Sequence, residues 1–387
     1  MRTRLRRHAT RLQLVFVALS LVASLPCCAR QKSGTLSRTW NQSDQRNQDA
    51  PAATGETVSA LDTCIFVIFQ AKDNSYWFGS DGHGVYRFDG KSIVRFTTAH
   101  GLCGDRIRSI QEDRSGNIFV SSDGGVSRFD GRGFRPLVPT DADETGWKLA
   151  PDDLWFTGWQ DEGVVYRYDG VTLHRLAFPK TKPAEDHIAK YPRSKFPAMI
   201  FNPYDVYVIY KDSRGSLWFG THVLGACRFD GTTFAWAPKA ELGFDDDNSF
   251  GLRSIVEDRD GKFWFSNTLN RFDVQPPVHN ATAEHTSGAL SVRKEPGVIL
   301  AGDPKADYSA FFMSAVKDKS GDLWLATLRS GVWRYDGTRL TQYPVRDGET
   351  TVTLFSIYID KKDVLWLGTH EHGAYRFNGT TFERFNR

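Results

Sequence analysis

The residues best equipped for chemistry are His370, Glu371 and His372, set in the run Leu365-Trp366-Leu367-Gly368-Thr369-His370-Glu371-His372-Gly373. Two imidazoles and a carboxylate so close together can supply ligands for zinc or another divalent ion with a position left open. They can equally supply an acid and a base. The competing reading is a solvated loop, because His-x-His at an exposed tip is a common and uninformative pattern. Aromatic and glycine residues on either side place the three at the tip between two short strands.

Equivalent tips recur along the chain. Four residues past each strand aromatic stand Asp81, Asp123, Trp159, His222, Thr268, Leu328 and His370. His83 occupies in the first copy the place that His372 has in the last. The ring Asp81, His83, Asp123, Trp159, His222, His370, Glu371 and His372 is therefore the candidate ligand-binding set, with His222, His370 and His372 as the candidate metal ligands. Trp159, beside Gln160, Asp161 and Glu162, suits contact with a sugar or peptide.

The elements that must position these residues are repeats. Copies begin at Tyr76-Trp77-Phe78-Gly79, Ile118-Phe119-Val120-Ser121, Leu154-Trp155-Phe156-Thr157, Leu217-Trp218-Phe219-Gly220, Phe263-Trp264-Phe265-Ser266, Leu323-Trp324-Leu325-Ala326 and Leu365-Trp366-Leu367-Gly368. In the second copy, strand A (Arg106 to Glu112) leads through the turn Asp113-Arg114-Ser115-Gly116 into strand B. A Gly-containing tip, strand C and the hairpin Asp130-Gly131 follow, then strand D. Four antiparallel strands closed by tight turns make one blade. The fold expected is all-β, a seven-bladed β-propeller of four-stranded antiparallel blades, with its first and last blades meeting by packing and no strand exchange. The turn aspartates, among them Asp73, Asp212, Asp258, Asp318 and Asp360, are read as turn formers and the strand-B aromatics as filling between blades. Scaffold positions are alike in all copies while the tip ring differs, as a site grafted onto a symmetric frame should.

This pattern resembles the two-component-regulator propeller repeat over residues 63–387, and the lead-in Thr97-Thr98-Ala99-His100-Gly101-Leu102 has the same look. The resemblance implies an extracytoplasmic sensor region. It does not carry kinase activity over, because no kinase pattern is present. The third copy departs, with Trp147 to Asp153 where the turn should be, and the fifth lacks the Asp-Gly turn after Phe272. Two insertions, Ala177 to Tyr204 and Val274 to Tyr308, are expected to project and cover part of one face.

The front of the chain reads differently. Arg2, Arg4, Arg6, Arg7 and Arg11 precede an apolar stretch, Leu12 to Leu25, too short for a spanning helix of about 20 residues and suited to an export signal. Leu25-Pro26-Cys27-Cys28 resembles a lipobox with Cys28 as the lipidated residue. The domain expectation is residues 1–28 as a lipoprotein-type signal peptide, 29–60 as a flexible tether and 61–387 as the propeller. The formal net charge is +3, and the five arginines ahead of Cys28 carry +5, leaving −2 for the rest. The basic pI thus belongs to the leader, and no nucleic-acid partner is expected. Of five cysteines, Cys64, Cys103 and Cys227 remain after Cys28, an odd number that makes no disulfide framework.

The leading functional reading is a non-catalytic, sensor-like propeller of the bacterial cell envelope, lipid-anchored in the periplasm or at the outer membrane, or secreted. It would bind a small molecule, a glycan or an envelope protein, with the membrane met through the lipid alone. No cofactor is assigned, and a divalent metal stays open. The alternatives are a metal-dependent lyase resembling streptogramin lyase, with His222, Glu371 and His370 or His372 as its residues, and a structural interaction hub.

Overall fold

The computed structural model describes residues 53–158, 163–192, 194–195, 202–244, 251–275, 287–298 and 311–385. The leader, Cys28, tether residues 29–52 and Trp159 lie outside the described residues.

The repeat folds as a seven-bladed β-propeller. Blade four shows the plan: strands A to D are Val206–Lys211, Leu217–Thr221, Ala226–Phe229 and Phe234–Ala237, paired antiparallel in that order. Every residue of strands B, C and D in this blade is buried. A sheet covered on both faces by neighbours reads as a continuous apolar run instead of alternating, and that is the Leu-Trp-Phe-Gly-Thr pattern. One large aromatic per blade bridges to the next: Trp218 packs on Phe263 and Phe265 of blade five at 4.6 and 5.7 Å between ring centroids. Tip glycines are forced. Gly84 has φ +82°, and a Cβ there would lie 2.0 Å from the carbonyl oxygen of Phe96.

Adjacent blades are also latched by polar side chains at the end of strand A. Glu112 accepts from the Lys72 backbone N–H of blade one, and Glu257 accepts from Ser213 of blade four. Gln70 accepts from Lys361 of blade seven in the same way, so the latch crosses the ring closure. There Phe385 stacks near Phe78, and the Tyr76 hydroxyl donates to Asp360 at 2.7 Å. Blades one and seven are each contiguous in sequence and close on one another by packing, as the repeat boundaries predict. Cys64, Cys103 and Cys227 are buried.

Four departures correct the simple plan. First, blade one has a fifth, outer strand, Glu56–Val58, antiparallel to strand D (Ile93–Phe96). The propeller therefore begins earlier than residue 61, held by Arg95 donating to Glu56 at 2.7 Å. Secondly, blade three has no strand A. Leu154–Thr157 is its innermost strand, and Pro139–Asp141 adds at the outside, parallel to Leu173–Ala177. Pro151 cannot donate to a ladder, and Trp147 is drawn instead into an aromatic cluster with Trp155, Phe229 and Phe234. The Gln111 amide of blade two replaces one missing ladder bond by donating to the Trp155 carbonyl at 2.6 Å.

Thirdly, much of the second expected insertion is scaffold. Ser291–Pro296 is strand D of blade five, and Ser287–Ala289 adds parallel to strand D of blade four. The first insertion forms the helix Lys182–Lys190, whose Ala184 is fully buried among blade three and four residues. Fourthly, Ala71, not Asp73, holds the turn-aspartate place in blade one: its N–H donates to Ser75 O at 2.9 Å, as Asp212 N–H does to Ser216 O at 2.9 Å.

Candidate functional site

Strand A lines the central channel, and it carries a feature the repeat pattern does not announce. The A–B register slips by one residue at Ile65/Val67, Ile107/Ser109, Val206/Val208, Phe312/Ser314 and Leu354/Ser356. A bulge leaves one residue outside the ladder and turns its side chain. The bulged residues are Phe66, Arg108, Tyr207, Met313 and Phe355. In blade five the pairing Ile255↔Phe265 matches Ile209↔Phe219 of blade four, which puts Arg253 at the corresponding place.

These side chains meet one another from different blades. Phe66 and Phe355 stack at 4.2 Å, the Arg108 guanidinium lies over Phe66 at 5.4 Å, and that of Arg253 lies over Tyr207 at 3.8 Å. Blade three, lacking strand A, contributes nothing to this ring. Burial pulls the Arg108 guanidinium below the ordinary arginine range, Asp81 and Asp123 act the other way, and Arg106 and Arg253 push it down further.

The tip residues form a second tier on the first. Asp81 Oδ1 is 3.3 Å from Arg108 Nη2 and makes no hydrogen bond. Asp123 Oδ1 also has no hydrogen-bond partner, and burial lifts its carboxyl above the usual range. His222 Nδ1 shares a 2.7 Å hydrogen bond with Tyr207 Oη. Burial pushes its imidazole down to about 3, with Lys239, Arg253 and His187 acting in the same direction. His187 belongs to the helix Lys182–Lys190.

The His370-Glu371-His372 tip divides. His370 is 1% exposed and its ring faces Phe355 at 5.2 Å. Glu371 Oε1 approaches its Nδ1 at 3.3 Å without hydrogen-bond geometry, so neither ring nitrogen is bonded. Burial lowers the His370 imidazole, against a smaller upward pull from Glu371. Glu371 itself is exposed, and His372 turns toward Asp347, 3.7 Å away on the hairpin Arg346–Asp347/Thr350–Thr351. His83 is exposed and bonds Asp62 at 2.5 Å. Thr268 is fully buried with its hydroxyl unpartnered, and Leu328 is half-buried.

The structure therefore gathers Asp81, Asp123, His222 and His370 with the bulge residues, and leaves His83, Glu371 and His372 at the rim. Trp159 lies outside the described residues. Sequence reasoning missed Phe66, Arg108, Tyr207, Arg253, Met313 and Phe355. A signal was present: the second residue of strand A changes type from copy to copy while the residue before it stays apolar. Among the described residues, no group of three or more His, Cys, Asp or Glu side chains is placed to hold a metal ion. His222, His370 and His372 do not form such a group.

The family model "Two component regulator propeller" matches residues 200–222. No curated protein sequence matches the chain. Among solved structures, the chain is similar to the extracellular domain of BT4673 from B. thetaiotaomicron, described as a hybrid two-component system. The TM-score is 0.54 at 18% identity, over 84% of this chain. The chain spans only 40% of that domain's length. It is also similar to virginiamycin B lyase from Staphylococcus aureus, in a catalytically inactive form with quinupristin. There the TM-score is 0.54 at 13% identity, over 83% of this chain and 97% of the lyase. At these identities the likeness is one of fold. The matched repeat and the seven blades agree with the resemblance to the two-component-regulator propeller repeat.

Proposed function

We propose that the chain is a sensor-like binding propeller of the cell envelope that takes a polar small molecule or glycan at the channel mouth. One observation carries this reading: Asp123 Oδ1 and both nitrogens of His370 make no hydrogen bond, Asp81 Oδ1 has only its ion pair with Arg108, and His370 faces the stacked rings of Phe66 and Phe355. Buried polar groups without partners are costly in a folded chain. Hydroxyl or amine donors on a ligand would satisfy them while its apolar face lies on the phenyl rings.

The test is calorimetric titration of the full chain with panels of metabolites and oligosaccharides. Saturable binding is expected, weakened at least tenfold by Asp81→Asn and by Phe355→Ala, and by Trp159→Ala if that tip also takes part. Panels that give no saturable binding, or binding unchanged in both of the first two variants, would sink the reading. Export and anchoring through Cys28 belong to the same proposal, supported by the leader pattern. Cys28→Ser is expected to move the protein from the membrane to the soluble fraction.

A further inference from the structure

On the face opposite the mouth, four blades share one polar arrangement. Asp212, Asp258, Asp318 and Asp360 each accept a hydrogen bond from the indole N–H of their own strand-B tryptophan, Trp218, Trp264, Trp324 and Trp366, at 2.9, 2.9, 2.9 and 3.0 Å. In blades four and five the strand-C arginine reaches the same carboxylate. Arg228 Nε is 3.6 Å from Asp212 Oδ2, and Arg271 Nη1 is 3.6 Å from Asp258 Oδ2. Two donors thus converge on one carboxylate oxygen.

Blade one keeps both donors and lacks the acceptor. Its turn has the same backbone pattern, with Ala71 where the aspartate belongs. Asp73, two residues on, takes over part of the work: it accepts from Ser75 N–H at 2.9 Å and from Arg87 Nη2 at 2.9 Å. Trp77 Nε1 and Arg87 Nε are left buried with no hydrogen-bond partner, and Trp77 is 1% exposed. Both residues, and Ala71 itself, line a cleft of about 1370 Å³ that runs across blades one to three. Arg128, Leu137 and the exposed Val171 line it further along.

We infer that this cleft is a carboxylate-binding site, in which a carboxylate from outside the chain accepts from Trp77 Nε1 and Arg87 Nε. The class of ligand follows from the molecule's own symmetry, because the four sister blades put a carboxylate oxygen at that place. Charge-assisted bonds of this kind are strong where water is excluded. The cleft is larger than the usual small-ligand pocket of up to ~1,000 Å³. The remainder of an acidic peptide therefore has room along Leu137 and Val171, and a free organic acid would use the same two donors. The site lies on the other face from the mouth and does not depend on the reading given above.

The test follows the indole resonances of the full chain labelled with nitrogen-15 in tryptophan, with Trp77 identified by its loss in Trp77→Phe. Sodium acetate and a triglutamate peptide are titrated at constant ionic strength, with chloride as the control. The Trp77 resonance is expected to move saturably with both probes. Tighter binding of the peptide assigns the carboxylate to a polypeptide, and equal binding assigns it to a free acid. In Ala71→Asp the resonance starts displaced and no longer responds, because the chain then supplies its own carboxylate. Arg87→Gln, which keeps the indole, weakens both probes at least tenfold and serves if Ala71→Asp does not fold. A stationary Trp77 resonance in the wild type means a resident water only and overturns the inference. An equal response in Ala71→Asp, or unchanged affinity in Arg87→Gln, overturns it as well.

Discussion

The two faces of this propeller treat their carboxylates in opposite ways. At the turn face, Asp212 is buried and fully used: it accepts from Arg214 and Ser216 N–H, from the Trp218 indole, and lies near Arg228. At the mouth, Asp123 is half-buried with Oδ1 unbonded. The first kind of carboxylate recurs because the turn needs it. The second kind varies from blade to blade and is not required by any neighbour. A repeat protein thus separates residues that hold the frame from residues that the frame merely presents, and satisfaction of hydrogen bonds tells the two apart.

The comparison can be broken most decisively at Asp212. Asp212→Ala strands an indole N–H, two backbone N–H groups and part of a guanidinium, so a loss of roughly 2–4 kcal/mol is expected from urea midpoints. A loss below about 1 kcal/mol would mean that the turn face is not held this way.

The pH dependence of the mouth comes next. The folded-state value of His222 is about 3, below its ordinary 6.5, so the folded form keeps the ring neutral while the unfolded chain protonates it. The contribution is complete above pH 6.5 and is lost as pH falls from 6.5 toward 3. His222→Gln, measured by the same urea titrations, should flatten that loss. An unchanged slope would place His222 in a more watery setting than its 8% exposure indicates. The smallest effects belong to the loosely held carboxylate and the rim: Asp123→Ala and His372→Ala should each shift stability by less than about 1 kcal/mol. A loss at Asp123 as large as at Asp212 would erase the distinction between the faces.

Much of the architecture was legible because turns and burial are local. Asp-x-x-Gly and Asp-Gly pairs mark where the chain must reverse, and Leu-Trp-Phe-Gly marks a strand covered on both sides. Blade three was legible only as a departure. That its inner strand is missing, and that Gln111 and Trp147 fill in around it, depends on blades two and four. At the mouth, Asp81, Asp123, His222 and His370 were identified by position. The bulge residues beneath them were not: their variation from copy to copy is visible, but nothing in turn chemistry marks the one-residue slip that turns them into the ring.

Residue types and spacing alone determined the repeat, the number of blades, their antiparallel order and closure without strand exchange, because each rests on contacts within one copy or on its next neighbour. Tertiary structure alone decided three matters. His370, His222 and His372 part company instead of meeting as metal ligands. Arg253 comes to lie over Tyr207 and Arg108 over Phe66, each pair from separate blades. Ala71 leaves the Trp77 indole without the carboxylate that four other blades supply. Each depends on where side chains from different blades point once the ring has closed, and no local signal in the chain encodes that.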